Sequence, residues 1–335
     1  MDMVLTDHDY CSSSSESATL NQVLDETEVL RAEKAQLCAK IEEMAVRCRF
    51  GLKRYSSSDE DIRLYTRFAS YASLMSFWSQ IEPALSGLVR VTRAQTTALT
   101  EDAGPAASLQ PIDEFFLFLT YLSLGLVLSD LANLFGIHQS TATDIISTWA
   151  NFLYSVLGAV GIWPDEETVR KNMPEAFRDY PDTHVILNCT ELLCQTPDSL
   201  QMYSNYKSHC TFKGLIGLAP HGPVTFVSLL YDTSISNRDI TKHSGLVSHL
   251  KPSMAIMVDE GFLVEDVVPC KVHVLDSLRA KTQSTARLRV HIERVIRRVK
   301  EYKLFTTEIP LSLTGSVSQQ FAVACLLVNY QNGTL

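Results

Sequence analysis

The apolar residues of this 335-residue chain change their spacing near Pro181, and that change limits the possible folds more than any other feature. Before it, apolar residues recur every three or four positions, which is typical of amphipathic helices. After it, short β-branched runs alternate with turn residues, which is typical of strands. The chain therefore predicts an all-helical part followed by a mixed α/β domain. A hydrophobic content of 46% is sufficient for a sizeable core.

Four stretches follow from composition and periodicity. Residues 1–17 are rich in Ser and acids and predict a disordered tail. Residues 18–48 predict a short coiled coil, with a lone amphipathic helix folded back on the body as the alternative. Residues 60–160 predict a helical domain, and residues 178–335 predict the sheet domain. The coiled-coil prediction rests on a seam of alternating three- and four-residue spacings: Leu20, Val23, Thr27, Leu30, Lys34, Leu37, Ile41 and Met44.

The segment 128–153 of the helical domain reads as two amphipathic helices joined by a glycine turn. Ser129 is suited to cap the first helix, Gly136 to form the turn and Gln139 to open the second helix. This pattern predicts a helix-turn-helix, although an ordinary helical bundle also fits it. In a helix-turn-helix, the start of the second helix faces the bases and phosphates of DNA, whereas Asp144 would repel phosphate. The residues predicted to contact DNA there are Gln139, Ser140, Thr141 and Thr143.

The second half predicts an RNase H-like mixed sheet with flanking helices. The turn 221–223 joins the second and third strands as a hairpin. Helices are predicted at about 285–302 and 316–330. The predicted strands are 184–189, 211–220, 224–232, 254–262 and 271–275.

Charge and cysteine content indicate the kind of surface the protein has and the compartment in which it acts. A net charge of −9 argues against a uniformly cationic surface, yet residues 270–303 carry ten Lys and Arg against three acids. One face of the C-terminal half should therefore be positive. The eight cysteines are scattered without a C-x-x-C pair, which favours reduced thiols. No secretion signal or membrane span is expected, so the predicted location is the nucleus or the cytoplasm.

Two acids stand where metal-dependent phosphodiester chemistry would need them. Asp259 ends an apolar strand, and Glu293 lies in an arginine-rich helix. Carboxylate oxygens are the ligands that hard cations prefer. A third acid is expected on the first strand, where Asn188 stands instead. The plain alternative is an aspartate that caps a turn and a solvated glutamate paired with a neighbouring arginine.

Several collinear motifs together resemble the Harbinger-type DDE superfamily endonucleases, which are transposase-derived. The resemblance runs from about Tyr65 to the C-terminus. It implies a helix-turn-helix unit before an RNase H-like nuclease domain. The motifs that carry it are LANLFGIHQSTATDII, MPEAFRDYP, VILNCTE, YSNYKSHCTFKGLIGLAPHG, FVSLLYDTSISNRDI, VDEGF and RVHIERVIRRVK.

The resemblance also implies a site and a cofactor. Its three acid positions fall on Asn188, Asp259 and Glu293, which would act as catalytic residues and as ligands of Mg²⁺ or Mn²⁺. DNA would be the substrate. The basic residues expected to hold its backbone are Arg287, Arg289, Arg297, Arg298 and Lys300.

Asn188 leads to the hypothesis that catalysis in this chain is impaired and metal binding weakened. An amide offers one neutral oxygen and cannot bridge two cations as a carboxylate does. Glu191 should point to the opposite face of the strand, while Asp182, further back, stays open as a substitute. A second departure is Asn237, where the family commonly has Asp. The alternative function is a non-enzymatic protein that binds DNA, a coiled-coil partner or a second copy of itself.

Overall fold

The computed structural model describes residues 14–88, 109–195, 210–275, 293–310, 313 and 315–331. The chain divides into two compact units, Met1–Arg54 and Tyr55–Leu335. None of the described helices is both long and apolar enough to cross a membrane.

The first unit is dominated by one long helix, α1 (Ser14–Cys48), followed by the short α2 (Leu52–Tyr55) at the boundary. The predicted coiled-coil region 18–48 lies entirely on α1. Its apolar side chains are exposed: Leu30, for example, keeps 63% of its surface and Ile41 keeps 60%. The helix itself is present, whereas its pairing with another helix stays a prediction. Of the predicted tail, residues 1–13 lie outside the described residues.

Helices make up the first part of the second unit. They are α3 (Asp59–Thr66), α4 (Tyr71–Ile81), a 3₁₀ helix (Glu82–Gly87), α5 (Pro111–Leu124), α6 (Leu128–Phe135), α7 (Gln139–Ala159), α8 (Glu166–Lys171) and a 3₁₀ helix (Glu175–Phe177).

Helix α5 is the centre of this helical layer. Its residues 114–123 are all buried, so it is covered on every side. The buried carboxylate of Glu114 accepts a hydrogen bond from the Trp149 indole of α7 at 3.3 Å. The Phe115 ring lies between those of Trp78 and Trp149, at 5.7 and 5.2 Å. Aromatic packing of this kind joins α4, α5 and α7 into one layer.

Six strands form one mixed sheet in the described part of the chain, in the order β3-β2-β1-β5-β6, with β4 paired to β2. Strands β1, β2 and β3 pair antiparallel, whereas β5 and β6 continue the sheet in parallel with β1. This arrangement confirms the predicted mixed sheet with flanking helices. The strands are β1 (Thr183–Cys194), β2 (Cys210–Leu218), β3 (Val224–Val227), β4 (Tyr231–Asp232), β5 (Ala255–Asp259) and β6 (Lys271–Leu275).

The remaining helices cover this sheet. They are α9 (Asn237–His243), a 3₁₀ helix (Leu246–His249), α10 (293–300), a 3₁₀ helix (Lys303–Phe305) and α11 (Val317–Gln331). Helix α11 occupies the position predicted at 316–330.

The predicted strand 224–232 is wrong as a single strand, because Ser228 interrupts it. Its hydroxyl accepts a hydrogen bond from the Leu215 amide at 2.9 Å and donates one to the Leu229 carbonyl. The Ser228 hydroxyl thus accepts the Leu215 amide in place of a backbone carbonyl. The strand pairing stops there, and the segment divides into β3 and β4. The predicted turn at 221–223 is confirmed, since β2 and β3 pair antiparallel across it.

The two faces of the sheet are covered by different elements. Val185, Leu187, Ile256 and Val258 belong to one buried cluster, which includes Ile240 of α9. On the opposite face, a methyl group added at Gly214 would touch Phe321 of α11. Gly214 lies opposite Thr190 of β1, so α11 covers the face that carries the even-numbered residues of that strand.

A substitution at Gly217 tests how closely β2 packs against the residues beside it, because a side chain there would have no room. A Cβ atom at Gly217 would lie 2.9 Å from both the Phe226 Cβ and the Val185 Cγ2 atoms. We expect Gly217→Ala to lower the free energy of unfolding in urea by about 1–3 kcal/mol. Gly158→Ala is the matched control, since a Cβ there meets nothing within 4 Å. Because Gly158 is helical, that change should be neutral or stabilise by up to ~1 kcal/mol. Equal effects of the two substitutions would contradict the close approach.

Candidate functional site

The parallel pairing of β1 and β5 brings two polar side chains together. Leu187 lies opposite Val258 in the register, so Asn188 and Asp259 follow side by side. The Asn188 Nδ2 atom donates a hydrogen bond to the Asp259 Oδ2 atom at 3.4 Å. Both side chains are half-buried, and by strand alternation they project from the face that α11 covers.

A tight turn holds Asp259 at the tip of β5. The Phe262 amide donates a hydrogen bond to the Asp259 carbonyl at 3.1 Å, and Gly261 adopts a φ of 86°. Glycine is the residue that takes this left-handed conformation without steric cost. The turn therefore ends the strand at the carboxylate and leaves its oxygens at the sheet edge.

The amide changes the electrostatics of this pair. Two carboxylates at this separation would repel each other and would favour either a shared proton or a bound cation. Asn188 instead offers an N–H donor to a single carboxylate. The pair therefore carries one negative charge instead of the two that a pair of carboxylates would carry.

Glu293 lies at the start of the described part of α10, and its side chain is exposed. The helix is anchored by Val295 and Val299, which are buried. No group of three or more His, Cys, Asp or Glu side chains in the described ranges is arranged to hold a metal ion. The role of Glu293 as a third ligand therefore stays a prediction.

Neither of the two acids near β1, Asp182 and Glu191, takes a place beside Asp259 as Asn188 does. Asp182 accepts hydrogen bonds from His273 Nε2 at 2.7 Å and from Lys271 Nζ at 3.1 Å. Although burial acts in the opposite direction, these two bonds hold the pKa of Asp182 below its ordinary value. Asp182 also precedes Asn188 by six residues, or about 20 Å along a strand. Glu191 is exposed and pairs across the strands with Lys213.

The donor set fits a pair of divalent cations poorly. Such cations are held by several charged oxygens, and Asn188 and Asp259 together supply one carboxylate and one neutral amide. The amide nitrogen also points at that carboxylate, so one of its oxygens is already engaged.

Helices α6 and α7 meet at the predicted glycine turn. Gly136 has a φ of 64°, and its amide donates hydrogen bonds to the carbonyls of Ala132 and Asn133. Ala132 is 2% exposed where the two helices touch. The prediction that Ser129 caps α6 is wrong, because Val127 holds the cap position and Ser129 lies inside the first turn. An extended backbone at Val127 sets the start of the helix without a side-chain cap.

The first turn of α7 carries the predicted DNA-contacting residues. Gln139, Ser140 and Thr141 are exposed, whereas Thr143 is half-buried and donates its hydroxyl proton to the Gln139 carbonyl at 3.0 Å. His138 caps the helix, since its Nδ1 atom accepts from the Ser140 amide. Sequence reasoning missed His138, because histidine is not among the usual capping residues.

The predicted basic surface lies partly on α10. Arg297 and Lys300 are exposed there, while burial lowers the pKa of the half-buried Arg298 and its neighbours Arg294 and Arg297 act in the same direction. Arg297 also lies 4.0 Å from the Glu301 carboxylate. Arg287 and Arg289 lie outside the described residues.

A mixed sheet on which two polar side chains meet on adjacent parallel strands, preceded by a helix-turn-helix, is typical of a nuclease-like class of DNA-processing protein. The family of DDE superfamily endonucleases matches residues 187–329. The helix-turn-helix of DDE superfamily endonuclease matches residues 107–159. The chain belongs to this transposase-derived family, and the predicted resemblance is confirmed. The superfamily generally depends on divalent metal ions. No curated protein matches the chain.

A substitution of Asn188 tests the electrostatics of the pair. Asn188→Asp places a second carboxylate beside Asp259, so in EDTA we expect the free energy of unfolding to fall by about 1–2 kcal/mol. Millimolar Mn²⁺ should recover most of that loss, while leaving the unaltered chain nearly unchanged.

The matched control exchanges the two side chains. Asn188→Asp combined with Asp259→Asn keeps one amide and one carboxylate, so its stability in EDTA should match that of the unaltered chain. Equal losses in the single and the exchanged variants would show that repulsion is not the cause.

Proposed function

We propose that this chain is a transposase-derived DNA-binding protein whose endonuclease site is catalytically impaired. The observation that carries the proposal is the hydrogen bond from Asn188 to Asp259, at the place where the family has two acids. The helix-turn-helix and the endonuclease domain support DNA as the partner. A protein of this kind would act in the nucleus.

The impairment follows from charge. Cleavage of a phosphodiester builds negative charge on the phosphate, which a cation or fixed positive groups must stabilise. The family uses divalent metal for this purpose. Loss of groups that merely orient metal ligands costs about 10–100-fold in metal affinity or activity, so loss of a charged ligand should cost more.

The residues that support DNA binding lie on other elements than the Asn188–Asp259 pair. The exposed side chains at the start of α7 can reach base edges in the way that a recognition helix does. On the endonuclease domain, Arg297, Arg298 and Lys300 can hold the DNA backbone by charge alone. None of these contacts needs the Asn188–Asp259 pair.

The second candidate function is a protein that binds DNA or a protein partner and performs no chemistry. Two observations favour it. Asn188 donates a hydrogen bond to Asp259 where a second charged metal ligand would stand, and the apolar side chains of α1 are exposed. The two candidates differ only in whether any metal-dependent nicking remains.

Plasmid nicking with Mn²⁺ separates these candidates. We expect the unaltered chain to nick supercoiled DNA at least 100-fold more slowly than Asn188→Asp, since that substitution restores the missing charge. Asn188→Asp combined with Asp259→Asn is the control for contamination, because it again has one carboxylate and should be as slow as the unaltered chain.

Nicking by the unaltered chain at the rate of Asn188→Asp, and abolished by Asp259→Asn, would contradict the proposed impairment. If Asn188→Asp nicks plasmid DNA as slowly as the unaltered chain, the non-enzymatic candidate is favoured, because restoring one charge would then not restore activity.

Duplex binding provides an independent prediction. Fluorescence anisotropy of a labelled duplex, measured at several salt concentrations, should show binding that survives Asp259→Asn. Arg297→Glu with Arg298→Glu should weaken that binding and reduce the salt slope by about 1–2. Lys242→Glu with Lys251→Glu, at exposed lysines of α9 and the loop before β5, is the charge-matched control and should change the slope less. Equal changes in the two double variants would place the DNA elsewhere.

A further inference from the structure

Helix α1 is long and carries an exposed apolar face. It spans 35 residues, or about 52 Å. Helices in proteins owe most of their stability to the packing of such a face, and soluble proteins rarely expose so many apolar side chains together. Among the described side chains of α1, the exposed large apolar residues are Val23, Leu24, Val29, Leu30, Leu37, Ile41 and Met44.

Most of these residues lie on one seam. In a heptad frame with Thr27, Lys34 and Ile41 at position a, position d is occupied by Val23, Leu30, Leu37 and Met44. Every one of those d residues is more than half exposed. Val29 is equally apolar and 66% exposed but falls at position c, outside the seam. Apolar residues at d over three heptads are typical of a two-helix interface.

We infer that α1 binds α1 of a second copy of this chain as a parallel, in-register two-stranded coiled coil. The proposal is independent of whether the endonuclease site is active. A second copy is favoured over a different partner because the charges beside the seam complement one another.

The charges beside the seam favour a parallel pair over an antiparallel pair in the register that keeps the seam aligned, and this gain offsets the approach of the two Lys34 side chains at position a. In a parallel pair, position g of one helix faces position e of the next heptad on its partner, which brings Glu26 to Arg31 twice. The other described g–e pair, Glu33 with Cys38, carries no like charges. An antiparallel pair that keeps the seam aligned would instead place Glu33 against Glu33 and Arg31 against Arg31. In that antiparallel pair, the only attraction between oppositely charged residues would be that between Glu26 and Lys40.

Lys34 restricts the number of strands. It is the one charged residue on the described part of the seam, at position a, where a single polar residue sets register and oligomeric state at some cost in stability. In a two-stranded pair, its long side chain can reach water while its stem covers the seam. Glu33 of the second helix lies beside it in the parallel arrangement.

The test is the mass of the full chain in solution. Light scattering coupled to size-exclusion chromatography should give the mass of two chains at micromolar concentration. Leu30→Asp with Leu37→Asp should give the mass of one chain. Val29→Asp with Gln36→Asp, two exposed positions off the seam, adds the same two charges to the same helix as a matched control and should stay dimeric.

Charge exchange tests the orientation. Glu26→Arg replaces both attractions to Arg31 with repulsion between guanidinium groups and should weaken the dimer about tenfold. Adding Arg31→Glu restores both attractions only in the parallel arrangement, so dimer affinity should return. Such a recovery cannot come from helix propensity, which the second change does not improve.

Three outcomes would overturn the inference. A one-chain mass for the unaltered protein would exclude the dimer. A two-chain mass for Leu30→Asp with Leu37→Asp would place the interface elsewhere, and failure of Arg31→Glu to rescue Glu26→Arg would exclude the parallel orientation. Thermal unfolding of the second unit, Tyr55–Leu335, should be unchanged in every variant, which separates loss of pairing from loss of fold.

Discussion

The parallel hydrogen bonding between β1 and β5 is the interaction on which the site depends. It sets Leu187 beside Val258, which are 1% and 0% exposed, and therefore sets Asn188 beside Asp259 one step further on. A slip of one residue would turn the polar pair to the opposite face and expose the apolar pair. Burial of Leu187 and Val258 thus fixes where the side chains at positions 188 and 259 lie, whichever residues occupy those two positions.

An amide in this position removes a requirement that two acids would create. Paired carboxylates need a cation or a proton to remain close, and that need couples the stability of the site to metal. Asn188 gives Asp259 a hydrogen-bond donor and adds no second negative charge. An amide beside Asp259 therefore spares this part of the sheet the repulsion that a second carboxylate would create.

The strands and the helix-turn-helix could be predicted because local patterns determine them. Strand β6 was predicted at 271–275 and lies there, and Gly136 takes the predicted turn. The break at Ser228 could not be predicted, since it depends on a hydrogen bond to Leu215 in another strand. The hydrogen bonds of Asp182 to Lys271 and His273 likewise join residues about 90 positions apart, so the sequence leaves that acid open as a substitute for Asn188. The pairing of Asn188 with Asp259 was placed through family resemblance, because spacing alone gives no register between distant strands.

An exchange of amide for carboxylate at position 188 affects the chemistry available to the site more than its packing. Asparagine and aspartate have nearly the same shape, so exchanging them leaves the packing of Leu187, Val258 and α11 unaffected. What changes is one charge and one hydrogen-bond donor, and these act on metal and phosphate far more than on a half-buried sheet edge. Stability and activity are thus carried by different atoms of neighbouring residues: the apolar side chains at 187 and 258 hold the strands, and the polar ones at 188 and 259 determine the chemistry. A chain with an amide at position 188 can therefore keep the same fold as one with a carboxylate there, and a single substitution separates the two.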